Sequence, residues 1–200
     1  QHRAYPEAES DFLALLGIWI DYKVQVEALS RRQLRRWCED RFLSPTRMRE
    51  WNDLHRQLHK VMRERGLVVN AQPADRDQIH KALLSGLLGN IARRDERGFY
   101  RGTRDRIVAI WPASRLARTK ARWIMAAELT ETTRLFARHV SEIEPEWIAE
   151  VASNQLRYDH SEAHWSTKRE CVLAFESVSL WGLPVIVRRP IDYAKVEPLD

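Results

Sequence analysis

Two small sets of side chains could hold a metal. His55 and His59 stand four apart in a helical pattern, a spacing that lets two imidazoles chelate zinc. No third ligand is suggested nearby, and the pattern ends in a basic turn, which favours a solvated helix face. Asp159, His160, Glu162 and His164 form a denser group but lack the helical frame of an HExxH site. Neither set is assigned a metal. A small enzyme built on the second group is one rival reading of the chain. No GxxxxGK[ST] loop is present to cradle a triphosphate, and no acidic tetrapeptide to hold Mg²⁺. GxSxG is absent too, and no Ser/His/Asp or Cys/His series stands out. No catalytic residue is assigned.

A different chemistry is better represented. Between Arg97 and Arg138 lie ten basic and three acidic side chains, a net +7. Arginine offers phosphates a fixed positive fork and offers bases a flat face. The cations are Arg101, Arg104, Arg106, Arg115, Arg118, Lys120, Arg122, Arg134 and Arg138. Phe99 and Tyr100 fall on opposite faces of one strand, so that one can stack on a base while the other packs. Arg134 and Arg138 are placed on one strand face. The competing explanation is charge on strand edges, which discourages aggregation.

The rest of the chain is less basic. The 200 residues carry a formal net charge of +5, yet residues 139–200 hold 6 basic and 11 acidic side chains. A basic middle beside an acidic tail fits a localised polyanion-binding face. The two cysteines, Cys38 and Cys171, are isolated, so a disulfide framework is not expected and the cytoplasm is the default location. No run of about 18 apolar residues suggests a membrane span. The first residues lack the pattern of a signal peptide, and a start at Gln1 suggests an excised fragment.

These cations need elements to carry them. Ser10–Asp11, Ser30 and Ser44–Pro45 mark three helix starts, and Gly66 a helix stop. Trp19, Trp37 and Trp51 fall on the apolar stripes and are read as core. Arg31, Arg32, Arg35 and Arg36 line the other side of the second helix. A fourth helix is expected from about Asp75 to Arg94, with Gly86 and Gly89 implying close approach of another backbone. Strands follow at about 97–102, 106–111, 122–129 and 132–139, with a basic loop from Ser114 to Ala121. A short helix starts at Pro145, residues 154–168 read as irregular, and a strand pair flanks Trp181-Gly182.

The ordered series LLSGLLGNIA, GFYRG, WPAS, Trp123–Leu129, Thr132/Thr133 with Arg134, and IEPEWI resembles the C-terminal region of DEAH-box RNA helicases. Gly102 stands where that family has Thr, and Trp111 where it usually has His; Trp111, Trp123 and Trp147 fall within these signatures, which implies that they are core. SEAHW and VSLWGLPVIVRRPIDY are similar to the extension found in bacterial HrpA-type members.

The resemblance implies an α+β chain. A partial ratchet-like helical bundle covers residues 1–94, and an OB-type β-barrel with a C-terminal β extension covers residues 95–200. It implies an accessory RNA-channel segment of an ATP-dependent helicase that moves 3′ to 5′ on single-stranded RNA and unwinds duplexes. The partners would be single-stranded RNA and the RecA-like motor domains of the same parent chain, which would bind ATP and Mg. No cofactor is expected in this segment, which is expected to be monomeric and free of membrane. The expected RNA contacts are Tyr100, Arg101, Arg104, Arg115, Arg118, Lys120, Arg134 and Arg138. The alternative is a protein-interaction module that docks an activator or ribosomal partner.

Overall fold

The computed structural model describes residues 10–193. The chain forms two compact units, Gln1–Arg76 and Asp77–Asp200.

The first unit is helical: α1 (Asp11–Ala28), α2 (Arg31–Asp40) and α3 (Pro45–Glu64). Each start has a serine cap. The Ser10 hydroxyl accepts from the Leu13 N–H at 3.2 Å. Ser30 and Gln33 close a capping box, and Ser44 precedes Pro45 at the first helical position. Gly66 stops α3 at φ +71°, a left-handed conformation in which glycine pays no steric cost. Ile18, Tyr22, Cys38 and Met48 are buried at the centre, with Trp19, Trp37 and Trp51 packed against them. The Trp19 and Trp51 rings lie 5.1 Å apart. These three tryptophans are half-buried against the core, on the side their stripes predict.

The second unit begins with α4 (Arg76–Leu87), a 3₁₀ turn (Leu88–Asn90) and β1 (Ile91–Arg94). The helical period of the sequence runs through Ile91, but the helix stops earlier. Ile91 and Ala92 are instead buried in a strand paired on both sides. Gly86 has nothing within 4 Å of an added Cβ, and Gly89 only a Trp181 ring atom at 3.8 Å. The expected close backbone approach at these glycines is therefore absent.

β1, β2 (Tyr100–Gly102), β3 (Ile107–Ile110), β4 (Trp123–Glu131) and β5 (Leu135–Glu142) close a barrel in the order β1-β2-β3-β5-β4. All pairs are antiparallel except β3 with β5. The interior holds Ala92, Tyr100, Val108, Leu116, Ala121, Ile124, Ala126, Ala137 and Val140. The β4–β5 ladder skips Ala127 and His139, and His139 has φ +50°. On β4 the inward set passes from Ile124 and Ala126 to Leu129; on β5 it passes from Leu135 and Ala137 to Val140. Both strands thus switch face at one kink, which bends the hairpin around the core.

α5 (Pro145–Val151) follows, and its Trp147 stacks on the buried His80 of α4 with ring centroids 6.1 Å apart. Lys81 of α4 also pairs with Glu150 of α5. These contacts group α4 with the barrel, whereas the sequence reading set the division at residue 94.

A separate sheet ends the described chain: β6 (Leu156–Ser166), β7 (Cys171–Leu180) and β8 (Leu183–Asp192), in that order. β6 replaces the irregular segment expected at residues 154–168. Its polar sequence hides the strand because most of its side chains are exposed. β7 shows the period-2 burial of a sheet with one covered face. Trp181 and Gly182 form the two-residue turn, both with positive φ, the requirement of the hairpin turn that matches strand twist.

Candidate nucleic-acid interface

The cation-bearing surface is built where β3 meets β5. Trp111 extends β3 by one residue: its N–H donates to the Ala137 carbonyl at 2.9 Å. Its ring meets Phe136 edge-on at 5.1 Å. The Arg138 guanidinium carbon lies 4.1 Å from the same ring centroid. Such stacking of a cation on an indole is favourable and orients the guanidinium. The Nε of Arg138 is buried and has no hydrogen-bond partner among the described residues.

The loop after Trp111 is braced by hydrogen bonds. Ser114 N–H donates to the Trp111 carbonyl at 2.9 Å, and the Ser114 hydroxyl accepts from Leu116 N–H at 3.2 Å. This caps the 3₁₀ turn Arg115–Arg118. Leu116 is 1% exposed and plugs the barrel. Thr119 returns its hydroxyl to the Leu116 carbonyl at 3.0 Å. Burying Leu116 anchors the loop, so Arg115 and Arg118 flank a fixed point. Arg118 and Lys120 are exposed, and Arg115 is half-buried.

The remaining sequence candidates are dispersed. Tyr100 is 6% exposed, lies in the barrel core, and donates its hydroxyl to the Ala121 carbonyl at 2.8 Å. Burial holds its phenol pKa above the ordinary tyrosine value. Tyr100 therefore offers no free ring face to a base, which corrects its place among the contacts. Phe99, on the opposite face, is 55% exposed and is the aromatic available there. Arg134 lies in the turn before β5 rather than on the strand, and its carbonyl accepts from Thr132 N–H at 3.0 Å. It does not share a strand face with Arg138.

Arg101 sits on β2 with its Nε 3.4 Å from Asp95. Arg104 is tied to the second sheet: its N–H donates to the Trp181 carbonyl at 3.0 Å and its guanidinium lies 5.9 Å from the Trp181 ring. Arg106 bonds the carbonyls of Gly89 and Thr103 and is a structural brace. The structure thus brings Trp111, Phe136 and Arg138 together beside the Arg115–Lys120 loop, and leaves Arg101 and Arg104 elsewhere. Phe136 went unassigned in the sequence because an apolar strand residue reads as core.

The two histidine sets also find ordinary roles. His55 packs on Trp19, with centroids 4.9 Å apart. His160 lies 3.3 Å from Glu176, which also holds Arg189, and Arg188 makes a two-pronged pair with Glu162. Among the described residues no group of three His, Cys, Asp or Glu gathers in a metal-holding arrangement. No helix among them is long and apolar enough to cross a membrane.

Residues 79–155 match the oligonucleotide/oligosaccharide-binding (OB)-fold family, in agreement with the closed five-stranded barrel. Over 99% of its length the chain is 41% identical to the ATP-dependent RNA helicase HrpA homolog of Haemophilus influenzae. It is 39% identical over the same share to ATP-dependent RNA helicase HrpA of Escherichia coli. It is 29% identical, over 84% of its length, to the pre-mRNA-splicing factor ATP-dependent RNA helicase prp22 of Schizosaccharomyces pombe. The chain spans about 15% of the length of the two HrpA proteins and 14% of prp22.

Proposed function

We propose, for a chain that carries an OB-fold domain and is similar nearly end to end to HrpA-type proteins, that it is the RNA-contacting accessory segment of an ATP-dependent RNA helicase. Single-stranded RNA passes over the barrel while RecA-like motor domains of the same polypeptide bind ATP and Mg and drive movement 3′ to 5′, opening duplexes ahead. The parent works in the cytoplasm as a monomer. This segment hydrolyses no ATP by itself and needs no cofactor.

The observation that carries the reading is the Trp111–Arg138 stack beside a capped, basic loop on an OB barrel. OB folds bind single strands by combining cations that track the backbone with aromatic platforms that accept any base. Arg118 and Lys120 supply mobile charge for phosphates. Arg138, fixed on Trp111, supplies an oriented fork. Arg115 and Arg134 border the same elements, and Arg101 and Arg104 extend the positive field. Phosphate contacts and stacking carry no sequence information, so binding is without strong sequence preference.

Titration with oligo-U and a mixed-sequence RNA at several salt concentrations tests this. Phosphate contacts are expected to make log affinity fall steeply and linearly with log salt. Binding with a flat salt dependence, or none at low salt, would overturn the RNA reading in favour of a protein-docking module.

A further inference from the structure

The first barrel hairpin carries a second set of arginines that the Trp111 surface does not use. β1 and β2 pair with Arg93 directly opposite Arg101. Like charges opposite each other on paired strands repel. Arg94 ends the same strand, and Arg97 sits in the turn between the two. These four arginines, with Asp95, Glu96, Leu183 and Pro184, line one cavity of about 480 Å³.

The local acids do not cancel this charge. Four arginines and two acidic residues line the cavity. One Asp95 oxygen already accepts the Phe99 N–H at 2.8 Å, and the other lies 3.4 Å from Arg101. Arg93 rests 5.9 Å from the Trp123 ring and makes no ion pair among the described residues. Arg94 and Arg97 make no ion pair among the described residues. The turn is fixed by Gly98 at φ +86°. Leu183 and Pro184, just after the Trp181-Gly182 turn, add an apolar part to the lining. That turn is clamped to the barrel through the Arg104 N–H and the Trp181 carbonyl.

A concave site with two surplus positive charges, planar forks and a partly apolar lining suits adjacent phosphate groups, each of which accepts parallel N–H bonds. We propose that this cavity between the β1–β2 hairpin and the β7–β8 turn is a phosphate site that takes two neighbouring phosphates. Their source is either a single-stranded RNA backbone or a free polyphosphate. Only the RNA source rests on the helicase reading above. A bound phosphate pair also relieves the repulsion between Arg93 and Arg101.

The test follows the arginine Nε–H signals of the whole chain by NMR against two probes, a ten-residue oligo-U and inorganic tripolyphosphate. Both are expected to move the signals of the four arginines. The exposed pair Arg97→Gln/Arg101→Gln should abolish those shifts and leave the thermal midpoint unchanged or slightly raised in low salt. If the double variant fails to fold, Arg97→Gln alone, in the turn, reports. For oligo-U the double variant should also lower the salt slope by about 1.4, two single-strand phosphates at about 0.7 each.

If neither probe moves these signals, the site does not exist, and continued salt-dependent oligo-U binding would leave the helicase reading standing. If tripolyphosphate alone moves them, the site stands with a free polyphosphate as its ligand. If that outcome comes with no oligo-U binding anywhere on the chain, the helicase reading falls and the phosphate site does not.

Discussion

The side-chain amide of Asn90 donates to the carbonyl of Ala127 at 3.3 Å, across 37 residues of sequence. Ala127 is the β4 residue at the kink, where the ladder to β5 is interrupted. A backbone carbonyl that leaves a ladder inside a folded protein needs another donor. Asn90 supplies it from the turn that joins α4 to β1. Asn90→Ala should lower stability by about 1 kcal/mol, the usual net worth of one hydrogen bond, because the contact is part-buried. Chemical denaturation is the measurement, and Asn90→Asp, which removes the donor and adds charge, should cost at least as much.

Tyr100→Phe should cost about 1 kcal/mol through its lost hydrogen bond to the Ala121 carbonyl and leave RNA affinity unchanged, since the ring stays in the core. Phe99→Ala should do the reverse. Paired denaturation and RNA titrations check the crossover.

Arg118→Glu with Lys120→Glu should weaken RNA binding sharply at low salt and lower the salt slope by roughly one or more. The thermal midpoint should hardly move, because both side chains are exposed. The control is Arg31→Glu with Arg35→Glu on α2. Arg35 is already paired with Glu39 at 2.8 Å. A larger loss from the control pair would move the RNA to the helical unit.

Leu116→Ala should destabilise by about 2–5 kcal/mol, the usual cost of emptying a fully buried leucine site. It should also loosen the basic loop. RNA affinity should then fall even under conditions where the barrel remains folded, as circular dichroism can verify.

Glu162 has its carboxyl held below the usual range by hydrogen bonding to Arg188. A carboxylate lowered on folding adds stability above its unfolded pKa, and that stability is lost as pH falls through the folded value. Acid titration of Arg188→Gln should therefore show less loss between neutral and acidic pH than the unmodified chain. The difference should shrink in high salt, since both side chains are 55% exposed.

The helices and the barrel were legible for different reasons. Serine caps and apolar steps mark α1 to α3 because local chemistry decides where a helix begins. β1 was read as the end of α4 because Ile91 continues a helical period. One of its two partners, the three-residue β2, is too short to signal a hairpin, and the other, Trp123 to Met125, lies some thirty residues away. β6 was missed because an exposed edge strand carries no apolar alternation. At the candidate site, charge composition singled out the block that carries the Arg115–Lys120 loop and Arg138. It could not show that Tyr100 turns inward, or that Trp111 and Arg138 stack, because the parallel pairing of β3 with β5 creates that contact. Gly102 had a local logic: a Cβ there would lie 3.2 Å from the Ile91 carbonyl, so a larger residue would crowd this hairpin.

The order β1-β2-β3-β5-β4 places the last strand between two that precede it. During synthesis β3 and β4 leave the ribosome before the strand that joins them exists. Hairpin-by-hairpin growth cannot finish this barrel: β5 must insert in parallel on one side and antiparallel on the other while β1 seals against β4. Such non-local closure is slow, because loop entropy is spent before the contacts reward it. The span from Ile91 to Glu142 should accordingly fold as one cooperative block, and a nascent chain halted before Leu135 would display two unpaired strand edges to any chaperone within reach.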